Sequence, residues 1–205
     1  MVGRDDGSPT LVAAVNASRC VSCGICAGSC APMGVGPTGR TGRDQLTGLR
    51  EVTLPALARG GAVPTIAICC AQAPAAHRAA LQARGAHVHL VSCIGNLHSS
   101  VIEFFLRSGA PGVMVGGCPP RDCSSREGPR WLRQRLLNGR EAELQSRVDR
   151  RRVGLATLAP GALAETVAAF ERFTRQLPAA PVPEPESNPD LDTECEPVPL
   201  EEAAK

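Results

Sequence analysis

A chain of 205 residues has room for one domain or two small ones. Its 43% hydrophobic content can supply a core, but with 2% aromatics that core must be Ala, Val and Leu. It has ten cysteines and a net charge of +2; with no apolar stretch in the first ten residues and no 18-residue apolar run, neither a secretory leader nor a direct membrane span is expected. In such a chain the cysteines point to metal ligands or redox groups in a cytoplasmic protein rather than to structural disulfides.

The first predicted element is a short strand, residues 11–15, leading into the loop RCVSCGICAGSCAP. Cys20, Cys23, Cys26 and Cys30 fit C-x₂-C-x₂-C-x₃-C, the ligand run of bacterial ferredoxins. Two-residue spacers let successive thiolates wrap three corners of a cubane, and Gly24 permits close approach of the backbone to its sulfides. The run predicts a 4Fe–4S site in a small ferredoxin-like segment over residues 1–35. Zinc is the rival, although zinc sites usually split their ligands into separated pairs. In two-cluster ferredoxins the fourth cysteine of the run serves the other cluster. No second run exists here, so either Cys30 closes the cluster locally or the fourth ligand comes from elsewhere.

Residues 31–60 are rich in Gly, Thr and Arg and read as irregular, with 36–61 as the connector. Regular alternation follows. Strands are expected at 62–69, 87–93, 112–118 and 152–158, and helices at 75–85, 99–109, 129–139 and 162–177. Strands alternating with helices of this length imply βαβ crossovers and a parallel sheet of an α/β, flavodoxin-like domain over 62–177. Continuous apolar strands agree, because such a sheet is covered on both faces.

This domain carries a second set of cysteines. Cys69 and Cys70 end the first of these strands, Cys93 the second and Cys118 the third, with Cys123 five residues later. The intervals equal one βα repeat. All carboxyl ends of a parallel sheet lie on one edge, where these folds place ligands, so the thiols are expected to converge. Four or five thiols suit a 2Fe–2S cluster, with zinc as the alternative. Any one of them alone is an ordinary small buried hydrophobe.

The segment from IAICC through VSCIGNLHSSVIEFFLRSGAPGVMVGGCPPRDCSSREGPRWLRQRL resembles the delta subunit of methyl-viologen-reducing hydrogenase, the iron–sulfur module that passes electrons to heterodisulfide reductase. The most specific part is GVMVGGCPPRDC with the Arg-rich helix behind it. The resemblance implies a 2Fe–2S cluster on Cys93, Cys118, Cys123 and one of Cys69 and Cys70. The family usually spaces two cysteines apart at that strand end, whereas here they are adjacent, which leaves one spare. It also implies a non-catalytic relay role inside a larger redox complex. Proteins with a ferredoxin motif ahead of this module resemble subunits that accompany a flavin- and NAD(P)-binding partner and a membrane cytochrome b. That would place the chain in the cytoplasm, peripheral to the inner face of the membrane through a partner.

Other residues are weaker candidates. His87 and His89 alternate along a strand and suit packing. His98, close behind Cys93, could hydrogen-bond a cluster sulfur or act as a ligand. The arginines from Arg126 to Arg152 read as a solvated helix face, a docking surface for an acidic partner, or compensation for anionic clusters. Nucleic acid is excluded by the lack of stacking aromatics. No Walker loop, dinucleotide fingerprint or nucleophile elbow is present. The rival functions are a small iron–sulfur reductase with Cys69 and Cys70 as a redox pair, and a zinc-stabilised interaction module.

The final segment, 178–205, holds eight acids and one base, Lys205; 21 bases and 12 acids elsewhere leave the body near +9. Proline-rich, acidic and free of aromatics, it reads as a disordered tail in which Cys195 stands alone.

Overall fold

The computed structural model describes residues 2–3, 11–12 and 14–178. The acidic tail from 179 and Cys195 lie outside the described residues. At the N-terminus two short strands, β1 (Val2–Gly3) and β2 (Leu11–Val12), pair antiparallel. The cysteine loop follows, with one short helix, α1 (Ile25–Gly28).

The segment expected to be irregular is instead largely helical: α2 (Gly42–Gly48), a π-helical turn at Leu49–Thr53, and α3 (Leu54–Ala58). The signal was present in Thr41-Gly-Arg-Asp44. The Thr41 hydroxyl accepts from the Asp44 backbone N–H at 3.1 Å, and the Asp44 carboxylate accepts from the Thr41 N–H at 2.8 Å. This reciprocal cap satisfies two donors that a helix start leaves open. Leu46 and Leu49 then turn inward and are buried.

The α/β domain follows the expected alternation. It runs β3 (Ile66–Cys70), α4 (Ala75–Gln82), β4 (His87–Val91), α5 (Ser99–Arg107), β5 (Val113–Gly117), α6 (Gly128–Leu137), β6 (Val153–Thr157) and α7 (Leu163–Arg175). The four long strands form one parallel sheet in the order β4-β3-β5-β6. This is the order of a doubly wound sheet, with the chain reversing direction across it on either side of β3. Central β3 and β5 are buried along their length, as continuous apolar strands should be, while the edge strands β4 and β6 are only partly covered.

Side chains alternate across β3, and the two faces meet different partners. Ile66, Ile68 and Cys70 face a core with Val101, Ile102 and Phe105 of α5 and Leu132 and Leu136 of α6. Ala67 and Cys69 face the other layer, with Leu81 of α4 and Phe170 of α7. Each large apolar side chain so buried contributes about 1.5–3 kcal/mol.

Candidate metal centre

Cys70 closes β3, Cys118 follows β5 directly, and Cys93 lies two residues past β4. Because β3 lies between β4 and β5, the three cysteines stand on adjacent strand ends at one edge, at the point where the strand order reverses. A turn of 3₁₀ helix at Pro120–Asp122 brings the chain back to Cys123. The thiols at this edge lie near one another in pairs. The Cys118 and Cys70 sulfurs are 3.8 Å apart. Cys70 and Cys93 share a hydrogen bond, as do Cys93 and Cys123.

The electrostatics reflect this crowding. The proximity of Cys93 and Cys70 holds the Cys70 thiol below the ordinary thiol range and drives Cys93 well above it. Burial pushes Cys123 up. Donors surround the sulfurs: the Gly95 N–H approaches Cys93 Sγ at 3.4 Å, and the Gln72 N–H lies beside Cys70. Ser125 and Gly128 supply N–H groups to Cys123. Such hydrogen bonds to sulfur favour the thiolate, the form that binds metal.

The two cysteines at the first strand end face different layers. Cys69 points into the opposite layer, is fully buried among apolar side chains, and its thiol is pushed up to about 11 by that burial. It is separated from the other thiols by the sheet itself. A redox pair of Cys69 with Cys70 would need both sulfurs on one side, which adjacent residues of a regular strand do not provide.

As the side chains stand, no set of three or more His, Cys, Asp or Glu among the described residues is already arranged to hold a metal ion. The donor chemistry nevertheless suits one. A tetrahedral thiolate centre with metal–sulfur bonds of about 2.3 Å has sulfur–sulfur edges of about 3.8 Å, matching the Cys70–Cys118 separation of 3.8 Å.

The N-terminal cysteines occupy the loop around α1. Cys20 and Cys26 are exposed, while Cys23 and Cys30 are half-buried. Gly24 has φ of +76°, a conformation glycine adopts without cost, and it starts the α1 turn. This loop is seated on the one carrying Cys93. The Asn96 side chain donates to the Gly24 carbonyl at 3.0 Å and to the Arg40 carbonyl at 3.1 Å. A Cβ on Gly28 would lie 2.5 Å from the Gly95 carbonyl oxygen, and one on Gly95 would lie 2.5 Å from Gly128 Cα. A Cβ on Gly128 would sit 2.5 Å from Cys93 Sγ. Three glycines thus allow the two cysteine segments to meet backbone to backbone.

Two buried side chains flank that contact, and sequence reasoning singled out only one of them. His98 caps α5 through Nδ1, which accepts from the Ser100 N–H at 3.2 Å; its Nε2 is buried without a partner, with the Cys30 carbonyl nearby. Arg135 of α6 is fully buried. It donates to Ser29 Oγ at 3.1 Å and to the carbonyls of Gly95 and Leu97 at 2.9 and 3.1 Å, while its Nε has no partner. His98 Nε2 and Arg135 Nε are the two such orphaned atoms among the described residues. The signal for Arg135 was its place on the apolar stripe of α6 with Leu132 and Leu136. The other arginines of this region divide similarly: Arg152 is buried on carbonyls, whereas Arg126, Arg130, Arg133, Arg140, Arg147, Arg150 and Arg151 are exposed. His89 packs edge-on against Phe105 at 5.3 Å, in line with a packing role.

The family model for the methyl-viologen-reducing hydrogenase delta subunit matches residues 65–179, more than half of the chain. No curated protein matches the chain. No helix among the described residues is long and apolar enough to cross a membrane.

Proposed function

Since the chain belongs to the family of methyl-viologen-reducing hydrogenase delta subunits, we propose that it is an electron-transfer subunit of a redox complex, carrying a 2Fe–2S centre on Cys70, Cys93, Cys118 and Cys123 and a 4Fe–4S centre on Cys20, Cys23, Cys26 and Cys30. The observation that carries this reading is the pairwise proximity of Cys70, Cys93 and Cys118 at three adjacent strand ends and of Cys123 just beyond, with backbone N–H donors beside them. Bound clusters would supply one-electron redox chemistry that no side chain of this protein offers. The protein's own residues do the rest. The strand ends fix the thiolates, the amides of Gln72, Gly95, Ser125 and Gly128 hydrogen-bond to them, and Gly28, Gly95 and Gly128 keep the two sites close. Exposure of Cys20 and Cys26 gives a partner access to the N-terminal site.

A relay needs a donor and an acceptor. The reading takes a reduced flavin/NAD(P)H-binding or hydrogenase-type module as donor. The acceptor is a heterodisulfide-reductase-like partner or a membrane cytochrome b that would hold the chain at the membrane's inner face. The test is anaerobic capture of the tagged full chain from its native cells, followed by addition of the reduced donor. Support would be co-purification of such subunits, with bleaching of the chain's visible absorbance by the donor and its return on adding the acceptor. A chain that purifies alone and is not reduced even by a reduced viologen contradicts it.

A further inference from the structure

We infer that Arg135 is a positioning residue shared by both cysteine sites: its buried guanidinium ties the two loops together and its charge makes each site easier to reduce. The inference rests on the proposed reading that both thiolate sets hold redox centres.

Arg135 reaches both sites from one position. One Nη donates to Ser29 Oγ, the neighbour of Cys30; the other donates to the Gly95 and Leu97 carbonyls, in the loop that begins at Cys93. None of these partners carries charge. A fully buried cation without a counter-ion is strongly disfavoured, so something anionic is expected to compensate it. Among the described residues no carboxylate pairs with Arg135, and its hydrogen bonds place it one residue from Cys30 and two residues from Cys93. The thiolate sites on either side are therefore its available counter-charge.

Arg152 is a natural control. It is also buried and also donates to carbonyls, those of Leu106, Ala110 and Pro111, but a carboxylate, Asp149, acts favourably on it and its contacts lie away from the cysteines. It serves the fold.

An electron passed from a reduced viologen to a centre at either site oxidises the viologen by one electron, adds one negative charge to the site, and moves no proton. A cation held one loop away stabilises that product more than the oxidised form, and the low-dielectric surroundings strengthen the effect.

The test uses the loaded full chain, titrated anaerobically against viologen dyes while the two centres are followed by electron paramagnetic resonance. Arg135→Met should lower the reduced-to-oxidised ratio of both centres at a fixed potential by about tenfold, about 59 mV for a one-electron couple. Arg135→Lys should recover most of the shift, and Arg152→Met should cause none. A second readout compares loaded and metal-free protein: Arg135→Met should lower Tm in both through the lost tether, and by less in the metal-free chain, where no cluster ligands compensate the buried charge. Unshifted potentials in Arg135→Met with iron content intact would overturn the inference, as would a stability loss of equal size with and without clusters. If Arg135→Met does not fold, Ser29→Asp places a carboxylate against the guanidinium from a half-buried position. It should lower the potential of the Cys70–Cys93–Cys118–Cys123 centre, and no shift there overturns the inference. Absence of iron from the wild-type chain would instead overturn the relay reading beneath it.

Discussion

Cys70 and Cys118 are 48 residues apart in sequence, yet their sulfur atoms stand 3.8 Å apart at the ends of neighbouring strands. Cys69 is adjacent to Cys70 and is directed to the opposite layer. Strand alternation thus separates Cys69 from Cys70, and the proposed second site takes Cys70. Cys70→Ser is expected to remove the 2Fe–2S signal and about two iron atoms per chain, while Cys69→Ala keeps both and loses about 1 kcal/mol of stability. Iron quantitation with electron paramagnetic resonance distinguishes the two; the opposite pattern would assign the ligand to Cys69.

The same contrast appears in thiol reactivity. Burial raises Cys69 to about 11. Only about one molecule in a thousand would carry the thiolate at pH 8, and the thiolate is the reactive form. In cluster-free protein, iodoacetamide should label exposed Cys20 and Cys26 within minutes and Cys69 last. Labelling of Cys69 should accelerate as pH rises through 10, because its pKa is shifted upward and the thiol persists until then. Peptide mass spectrometry follows each site; early labelling of Cys69 at pH 8 would show that it is not sealed in the α4–α7 layer.

How much of this was legible in the sequence follows from the interactions involved. The βα alternation was readable because Gly85, Gly109 and Gly139 close helices, each with positive φ in the fold. The helices at 42–58 were missed because the Gly, Thr and Arg content obscured the Thr41–Asp44 capping box. The seating of the N-terminal loop could not be read at all. It depends on Gly28, Gly95 and Gly128 meeting across long sequence separations, and a glycine shows no periodicity that marks what approaches it. Arg135 was hidden for a similar reason, as one arginine among many in an arginine-rich helix.

The glycine contact itself is testable. A Cβ on Gly95 would meet the Gly128 backbone at 2.5 Å and the Ile25 side chain at 3.1 Å. Backbone cannot move aside as a side-chain tip can. Gly95→Ala should therefore cost about 2–3 kcal/mol through overpacking, a fall in Tm of about 5–10 °C, and should impair both sites because the segments carrying them separate. Unchanged Tm with full iron content would mean that the loops are not in contact.

The N-terminal run offers a narrower test. Cys23→Ser should abolish the 4Fe–4S signal and leave the 2Fe–2S signal in place, since the two ligand sets come from different segments. Cys30→Ser is the more informative variant. It tests whether the fourth ligand is local, next to Ser29 and its bond to Arg135. Retention of an unchanged 4Fe–4S signal would show that Cys30 is not a ligand.

The central claim is that one chain holds two iron–sulfur centres. Its most direct test is metal and acid-labile sulfide analysis of the anaerobically purified full chain, with electron paramagnetic resonance of the reduced form. The account predicts a brown protein with about six iron atoms and six sulfides per chain and two separable signals, one of the 2Fe–2S and one of the 4Fe–4S type. A colourless protein carrying stoichiometric zinc and no labile sulfide would contradict it.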